Sequence, residues 1–327
     1  MSVLTTMWAD SDPVWCERTV LVDRRCLSLP KYLYRIVREA PYFDVVAIVG
    51  SLGARDLYRD LVAAILLKLR QRKPKVLVMD ATWEKGSASL SALSGGRFSF
   101  ARVAEAAIRA LDGDHVHYAV LSTEEAATFA SRWSVDPNRV HFIPFFYSLA
   151  EYTDAPITQG GYIFSGGDSL RDYQLLLEAT AGFEVPVRVA SHWRAPAVWD
   201  NVRIDAVSHE EFARLLLGSK MVVVPLRQAE RSAGQQTYLN AMAVGKPVVV
   251  TDAAGVRDHV RDGVTGLVVP PTAQALRDAI EWILDPSNER DVEVMTDRAR
   301  KEVRSRFSPA MYRRRVLSLC DQLALGS

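Results

Sequence analysis

Short apolar runs and helical repeats alternate along this chain with few interruptions. Val45–Val49 is an unbroken apolar run ending at Gly50, and Val76–Met79 and Tyr118–Leu121 repeat the form. Runs of this length and β-branched content suit strands covered on both faces. Between them the spacing predicts helices: one opened at Pro30 with Leu33, Ile36 and Val37 on its inner face, then Arg55–Arg72, Arg97–Leu111 and Thr123–Trp133. Val3–Met7 is expected as a first strand, followed by an irregular charged stretch through Arg25, and Val140–Ile143 closes the set. Strands separated by helices of this length predict a doubly wound parallel sheet.

Tyr147–Gly160 has no periodicity, contains Pro156 and ends on a glycine pair with Gly161, so it reads as a linker. The alternation then restarts. Strands are expected at Tyr162–Phe164, Val187–Ala190, Val202–Ile204, Met221–Val224, Val248–Val250 and Leu267–Val269. Helices are expected at Leu170–Ala181, from Ser208 to Leu217, and at Gln235–Val244, Ala273–Leu284, Asn288–Arg306 and Met311–Ala324. Ser208 is the expected N-cap, with Glu211 completing a capping box, and Ser308 caps the last helix. The resulting division is 1–150, 151–306 and a terminal helix, 307–327.

Composition narrows the function classes. Forty basic residues against thirty-nine acidic ones give no bulk reason to expect nucleic acid as a partner. Cys16, Cys26 and Cys320 have no metal or redox spacing, which points to free thiols in a reducing, cytoplasmic compartment. The longest apolar stretch, Leu61–Leu67, is too short to span a bilayer. The basic helix end KLRQRKPK is read as solvated, with a peripheral membrane contact as the weaker reading. No aspartate run with metal-ligand spacing stands near the candidate site, so no metal is expected.

The chemistry concentrates in ERSAGQQTYLNAMAVGKPVVVTD, Glu230–Asp252. Ser232, Ala233 and Gly234 let the backbone approach a ligand, and a helix follows at once. Such a helix start presents free amides and a positive dipole end to an anion. Gln235, Gln236 and Thr237 are placed to hold a diphosphate, and Glu230 to accept from sugar hydroxyls. The strand-to-helix turn Ser165-Gly166-Gly167-Asp168, followed by Arg171, offers further amides and a charge. The loop Asp205–His209, with Val207 at its centre, is a third site at a strand end. In the first half, Asp80 and Glu84 follow a strand and are candidates to orient or deprotonate an acceptor hydroxyl. Trp83 beside them is either a stacking platform or a core residue. His115 and His117 are read as structural.

The run GKPVVVTDAAGVRDHVRDGVTGLVVPP (Gly245–Pro271), with FSPAMY (Phe307–Tyr312) and IFSGGDSLRDYQLLLEA (Ile163–Ala179), resembles the donor-binding half of GT-B glycosyltransferases, family 4 above all. The resemblance covers about half the chain strongly and the first domain by pattern alone. It implies two Rossmann-like, doubly wound parallel-sheet α/β domains facing across a cleft, with the terminal helix, 307–327, crossing back to the first domain. It further implies a retaining, metal-independent transferase with no cofactor, using a nucleotide-diphosphate sugar, usually a uridine one, as donor, and an acceptor handled by the first domain. On that resemblance Arg171 falls where the family sets a base against the diphosphate. The arginine that often follows the first glycine of that loop is absent here, where Gly167 and Asp168 fill the region, so the second charge is missing or comes from elsewhere. The family's glutamate pair falls on Ser232 and Asn240, neither a carboxylate; Glu230 is offered as a substitute, and Asn240 as a ribose contact. This departure keeps two alternatives open: a nucleotide-sugar epimerase of the same fold, and a non-catalytic nucleotide-sugar-binding partner subunit. Acceptor, sugar and oligomeric state are not legible.

Overall fold

The computed structural model describes residues 1–7, 12–23, 26–50, 59–70, 73–83, 100–152, 160–197 and 199–326. It divides into two compact units, Met1–Ile143 with Arg313–Ser327, and Pro144–Tyr312.

Unit 1 runs β1 (Val3–Thr5), α1 (Pro13–Arg18), β2 (Thr19–Leu21), α2 (Leu29–Glu39), β3 (Val45–Val49), α3 (Arg59–Lys68), β4 (Lys75–Met79), α4 (Phe100–Leu111), β5 (Val116–Val120), α5 (Thr123–Trp133) and β6 (Val140–Phe142). Its sheet is parallel throughout, in the order β2-β1-β3-β4-β5-β6. The stretch expected to be irregular before Arg25 instead holds α1 and β2. Asp12 caps α1 by accepting from Trp15 N at 3.1 Å, and Pro13 opens it. Both elements are short and half exposed, so they carry little apolar periodicity for the sequence to show. Trp83 is a core residue: its indole donates to Gly50 O at 2.5 Å and its rings pack on Tyr118, Phe129 and Trp133.

Unit 2 runs β7 (Ile163–Gly166), α6 (Tyr173–Ala179), β8 (Val187–Ala190), β9 (Val202–Asp205), α7 (His209–Leu217), β10 (Met221–Val224), α8 (Gln235–Ala243), β11 (Val248–Thr251), β12 (Leu267–Val269), α9 (Ala273–Leu284) and α10 (Glu289–Arg306). The parallel order is β12-β11-β10-β7-β8-β9. Both faces are covered, which the valine runs anticipated. Val222, Val224, Val248 and Val250 point into the core shared with α8, while Met221, Val223 and Val249 point into the core shared with α6 and α9. The helix α8 is buried at eight of its nine positions, wedged between the sheet and α10. It stops at Gly245, whose φ of 79° is open to glycine at little cost, before Pro247.

Two expected caps differ in detail. Ser208 does cap α7, accepting from Glu211 N at 3.2 Å. Glu211 pairs with Arg214 on the next turn and does not complete a capping box. The last helix, α11 (Pro309–Leu325), starts two residues before Met311, with Ser308 Oγ accepting from Met311 N at 3.3 Å. The boundary between the units falls inside α11. Its later residues serve unit 1, where Arg313 pairs with Asp12 at 2.9 Å and Asp321 with Arg18 at 2.5 Å. Among the described residues no helix is long and apolar enough to cross a membrane.

Candidate functional site

In an open parallel sheet, ligands bind beyond the carboxyl ends of the strands where the crossovers diverge. In unit 2 that point lies between β7 and β10, because β8 and β9 extend the sheet one way and β11 and β12 the other. The two loops that leave these strands are the Gly166–Arg171 turn and the segment leading into α8.

The turn after β7 has to be glycine at both positions. A Cβ on Gly166 would come within 2.4 Å of the Phe212 ring, and Gly167 has a φ of 98° with room for no side chain beside Arg171. The turn is then zipped to the exit of β10: Arg227 N donates to Leu170 O, and Asp172 N to Pro225 O, each at 2.9 Å. Arg171 is thereby folded inward and buried. Its Nε donates to Gly166 O at 3.0 Å, Nη1 to Ser169 O at 2.6 Å, and Nη2 to Thr237 Oγ1 at 3.0 Å. Burial pushes the Arg171 pKa down, and the neighbouring positive charge of Arg231 acts the same way. Thr237 stands in the first turn of α8 and passes its own proton to Gly166 O at 3.3 Å. Arg171 therefore staples the turn after β7 to the start of α8.

That helix start is open. Its N-cap is Gly234, which brings no side chain and sits at a φ of 84°. Among the described residues, the backbone amides of Gln235 and Gln236 find no acceptor. The Gln235 side chain is buried, and among the described residues its Nε2 has no hydrogen-bond partner. A buried donor left unmade costs free energy unless something accepts from it. Helix amides, the macrodipole and the Gln235 amide together form a donor-rich, positive end suited to an anion. Ser232 and Ala233 are buried in the approach to the helix, and Glu230 stands exposed two residues earlier.

Other expected residues have different surroundings. Asn240 is buried on α8, and its side chain is engaged with the chain's own backbone. Its Oδ1 accepts from Ser148 N at 2.7 Å and Leu149 N at 3.0 Å, and its Nδ2 donates to Ser148 Oγ at 3.1 Å. Both lone pairs of Oδ1 are so occupied, leaving one Nδ2 proton for anything else. Gln236 is exposed and donates to the same Ser148 Oγ at 2.9 Å. Val207, after β9, is half buried against the core. In unit 1, Asp80 follows β4 with a φ of 55°, a left-handed conformation that an aspartate tolerates better than most residues. Glu84 lies outside the described residues.

Two features, Arg231 and Ser148, were not singled out from the sequence, and Asp168 was read only as part of the turn after β7. Arg231, one residue after Glu230, donates through Nη2 to Ser169 Oγ at 2.6 Å. Ser148 anchors α8 by the bonds just given. Asp168, in the turn after β7, accepts from Ser191 Oγ at 2.5 Å and from His192 N and Nδ1 at 2.9 Å each. Burial works against its ionisation, but the Ser191 and His192 hydrogen bonds prevail and hold its carboxyl below the usual range. Neither Arg231 nor Ser148 belongs to a sequence motif, since each meets partners far away along the chain.

Comparison with known proteins agrees with this fold. Residues 188–286 match the family model described as Glycosyl transferases group 1. Alpha-D-kanosaminyltransferase of Streptomyces kanamyceticus is 34% identical over 86 residues, which is 26% of this chain and 22% of that protein. Among solved structures, sucrose-phosphate synthase of Thermosynechococcus elongatus superposes with a TM-score of 0.63 at 20% identity, covering 95% of this chain and 84% of that one. HepE of Anabaena, solved with UDP and glucose, gives 0.66 at 12% identity, covering 98% and 100%. The chain is accordingly a GT-B-fold protein that resembles the group 1 glycosyl transferases in sequence over residues 188–286 of its second unit.

Proposed function

We propose that the chain is a glycosyltransferase that takes a nucleotide-diphosphate sugar, with uridine the favoured base, and moves the sugar to an acceptor hydroxyl with retention and without a metal. One observation carries the reading: the uncapped start of α8, with the unpartnered Gln235 amide and the stapled Arg171, at the sheet's switch point. In the reaction the bond from the anomeric carbon to the diphosphate oxygen breaks, and its electron pair goes to the phosphate. Pre-aligned amides and the helix dipole stabilise that developing charge without reorganising. The acceptor oxygen forms the new bond, and its proton passes to a phosphate oxygen or to a carboxylate. Asp80 and Glu84 are the proposed orienting or basic groups for the acceptor, and Glu230 the proposed partner of the sugar hydroxyls. The Anabaena protein's complexes with UDP and UDP-glucose support a uridine donor, and the kanosaminyltransferase match supports sugar transfer.

A thermal-shift panel of UDP, GDP and ADP with their sugars, run with and without EDTA, tests the reading. UDP or a UDP-sugar should raise the melting temperature equally in both conditions. If no nucleoside diphosphate protects the protein, the reading fails; if EDTA abolishes protection, metal independence fails. Glu230→Ala should weaken a UDP-sugar more than UDP itself. Asn240 favours a second reading, a donor-binding subunit without activity, because its side chain faces Ser148 and Leu149 where the resemblance has a glutamate. Release of free sugar or a transferred product from the winning donor would exclude that second reading.

A further inference from the structure

We infer that Arg231 is the second cation of the donor diphosphate site, delivered from the loop before α8 and oriented by Ser169; this rests on the function proposed above. The charge to be met is large. A terminal phosphate carries about −2, whereas a helix N-terminus supplies about +0.5. Arg171 brings the total to about +1.5, still short of the leaving group, and three of its five N–H donors are already held by Gly166, Ser169 and Thr237. A side chain at Gly167 would have to displace Arg171, since its Cβ would lie 2.7 Å from Arg171 Nη2, and would sit at a φ of 98°.

Arg231 enters from the opposite loop. Ser169 is the shared anchor: its carbonyl accepts from Arg171 Nη1 at 2.6 Å, and its hydroxyl accepts from Arg231 Nη2 at 2.6 Å. Two guanidinium groups thus converge on one exposed serine at the mouth of the open helix start. Like charges held this close are unfavourable on their own and become favourable when an anion lies between them. The arrangement is independent of the α8 amides, so it adds to the helix N-terminus and does not restate it. Its Nη1 contact with Ser232 O, at 3.4 Å, keeps the side chain along the same loop.

Isothermal titration of the full chain with UDP, UMP and uridine reads the role directly. Wild type should bind UDP at least tenfold more tightly than UMP. Arg231→Ala should weaken UDP about tenfold and leave UMP and uridine within twofold, because only the outer phosphate loses its partner. Arg231→Lys should recover part of the loss, and Ser169→Ala should cost about two- to threefold by loosening the guanidinium. Circular dichroism checks each fold; should Arg231→Ala misfold, Arg231→Gln and Ser169→Ala carry the same comparison. UDP affinity unchanged within twofold in Arg231→Ala overturns the inference while leaving the proposed function standing. Wild type that binds none of the three ligands, nor GDP, overturns both.

Discussion

Replacing Asn240 by leucine removes the acceptor that holds Ser148 and Leu149 onto α8. The shape is nearly kept, so the cost is polar. Leu149 is fully buried, and its amide would lose its acceptor with no water to replace it, about 1–3 kcal/mol. Ser148 is half buried and can recruit water, so its amide and hydroxyl together add about 1 kcal/mol. The expected loss is about 2–4 kcal/mol against a typical total of about 5–15 kcal/mol. For a unit of this size each kcal/mol lowers Tm by roughly 2–4 °C, so Tm should fall by roughly 4–16 °C. Urea unfolding followed by circular dichroism gives the same quantity through the midpoint. Asn240→Asp is the control: it keeps both acceptors and lets Ser148 Oγ donate, so it should stay within about 1 kcal/mol of wild type. Asn240→Glu, the residue that the family resemblance implies here, adds a methylene to a packed position and should cost about 1–3 kcal/mol. A leucine variant within 1 kcal/mol of wild type would refute the reasoning, because it would mean the two amides are not held by this side chain.

Three other tests bear on separate features. Gly167→Ala forces a side chain into a positive-φ position against Arg171, so it should cost about 1–3 kcal/mol and abolish the melting-temperature gain with UDP; retention of both would show that the staple is dispensable. Burial, aided by the positive neighbours His141, Lys75 and Arg139, lowers the His117 pKa to about 4. With the folded value below the usual 6.5, the unfolded chain binds the proton first, so His117's contribution is intact above pH 6.5 and is lost as pH falls towards 4, by up to about 3 kcal/mol. His117→Gln should therefore flatten the stability-against-pH curve between pH 6.5 and 4.5, and parallel curves would count against it. Cys16 and Cys26 are exposed, whereas Cys320 is buried with its thiol pushed up to about 12 by burial first and Asp321 second. Ellman's reagent should titrate two thiols in the native protein and the third after unfolding; three fast thiols would contradict the packing of α11.

The sheets were legible because buried parallel strands leave an unmistakable record: Val45–Val49, Val187–Ala190, Met221–Val224 and Leu267–Val269 are strands at the positions their apolar runs mark. The cap at Ser208 and the stop at Gly245 were legible too, since each follows from one residue's chemistry. α1 and β2 were not, because three- and six-residue elements at a half-exposed edge have no periodicity to display. For the site, the open helix start at Gly234 could be read from the small residues before it. What Arg171 does could not be read in the same way. Its position along the chain suggested a ligand-facing charge, but its direction depends on the pairing of Leu170 and Asp172 with the β10 exit. Arg231 and Ser148 were hidden for the same reason: their partners lie 62 and 92 residues away.

The position of α11 has a consequence for biosynthesis. The first half of the chain leaves the ribosome well before Arg313 and Asp321 exist, yet Asp12 and Arg18 take those residues as partners. Val316, Leu317 and Cys320 bring apolar surface that buries only when this tail is complete. Domains ordinarily mature from the N-terminus as synthesis proceeds. Here the unit that begins first is closed last, so the nascent chain must hold an unfinished N-terminal unit until unit 2 has been translated in full. A chain stopped before Arg313 carries every strand of both sheets and still lacks the segment that finishes the first.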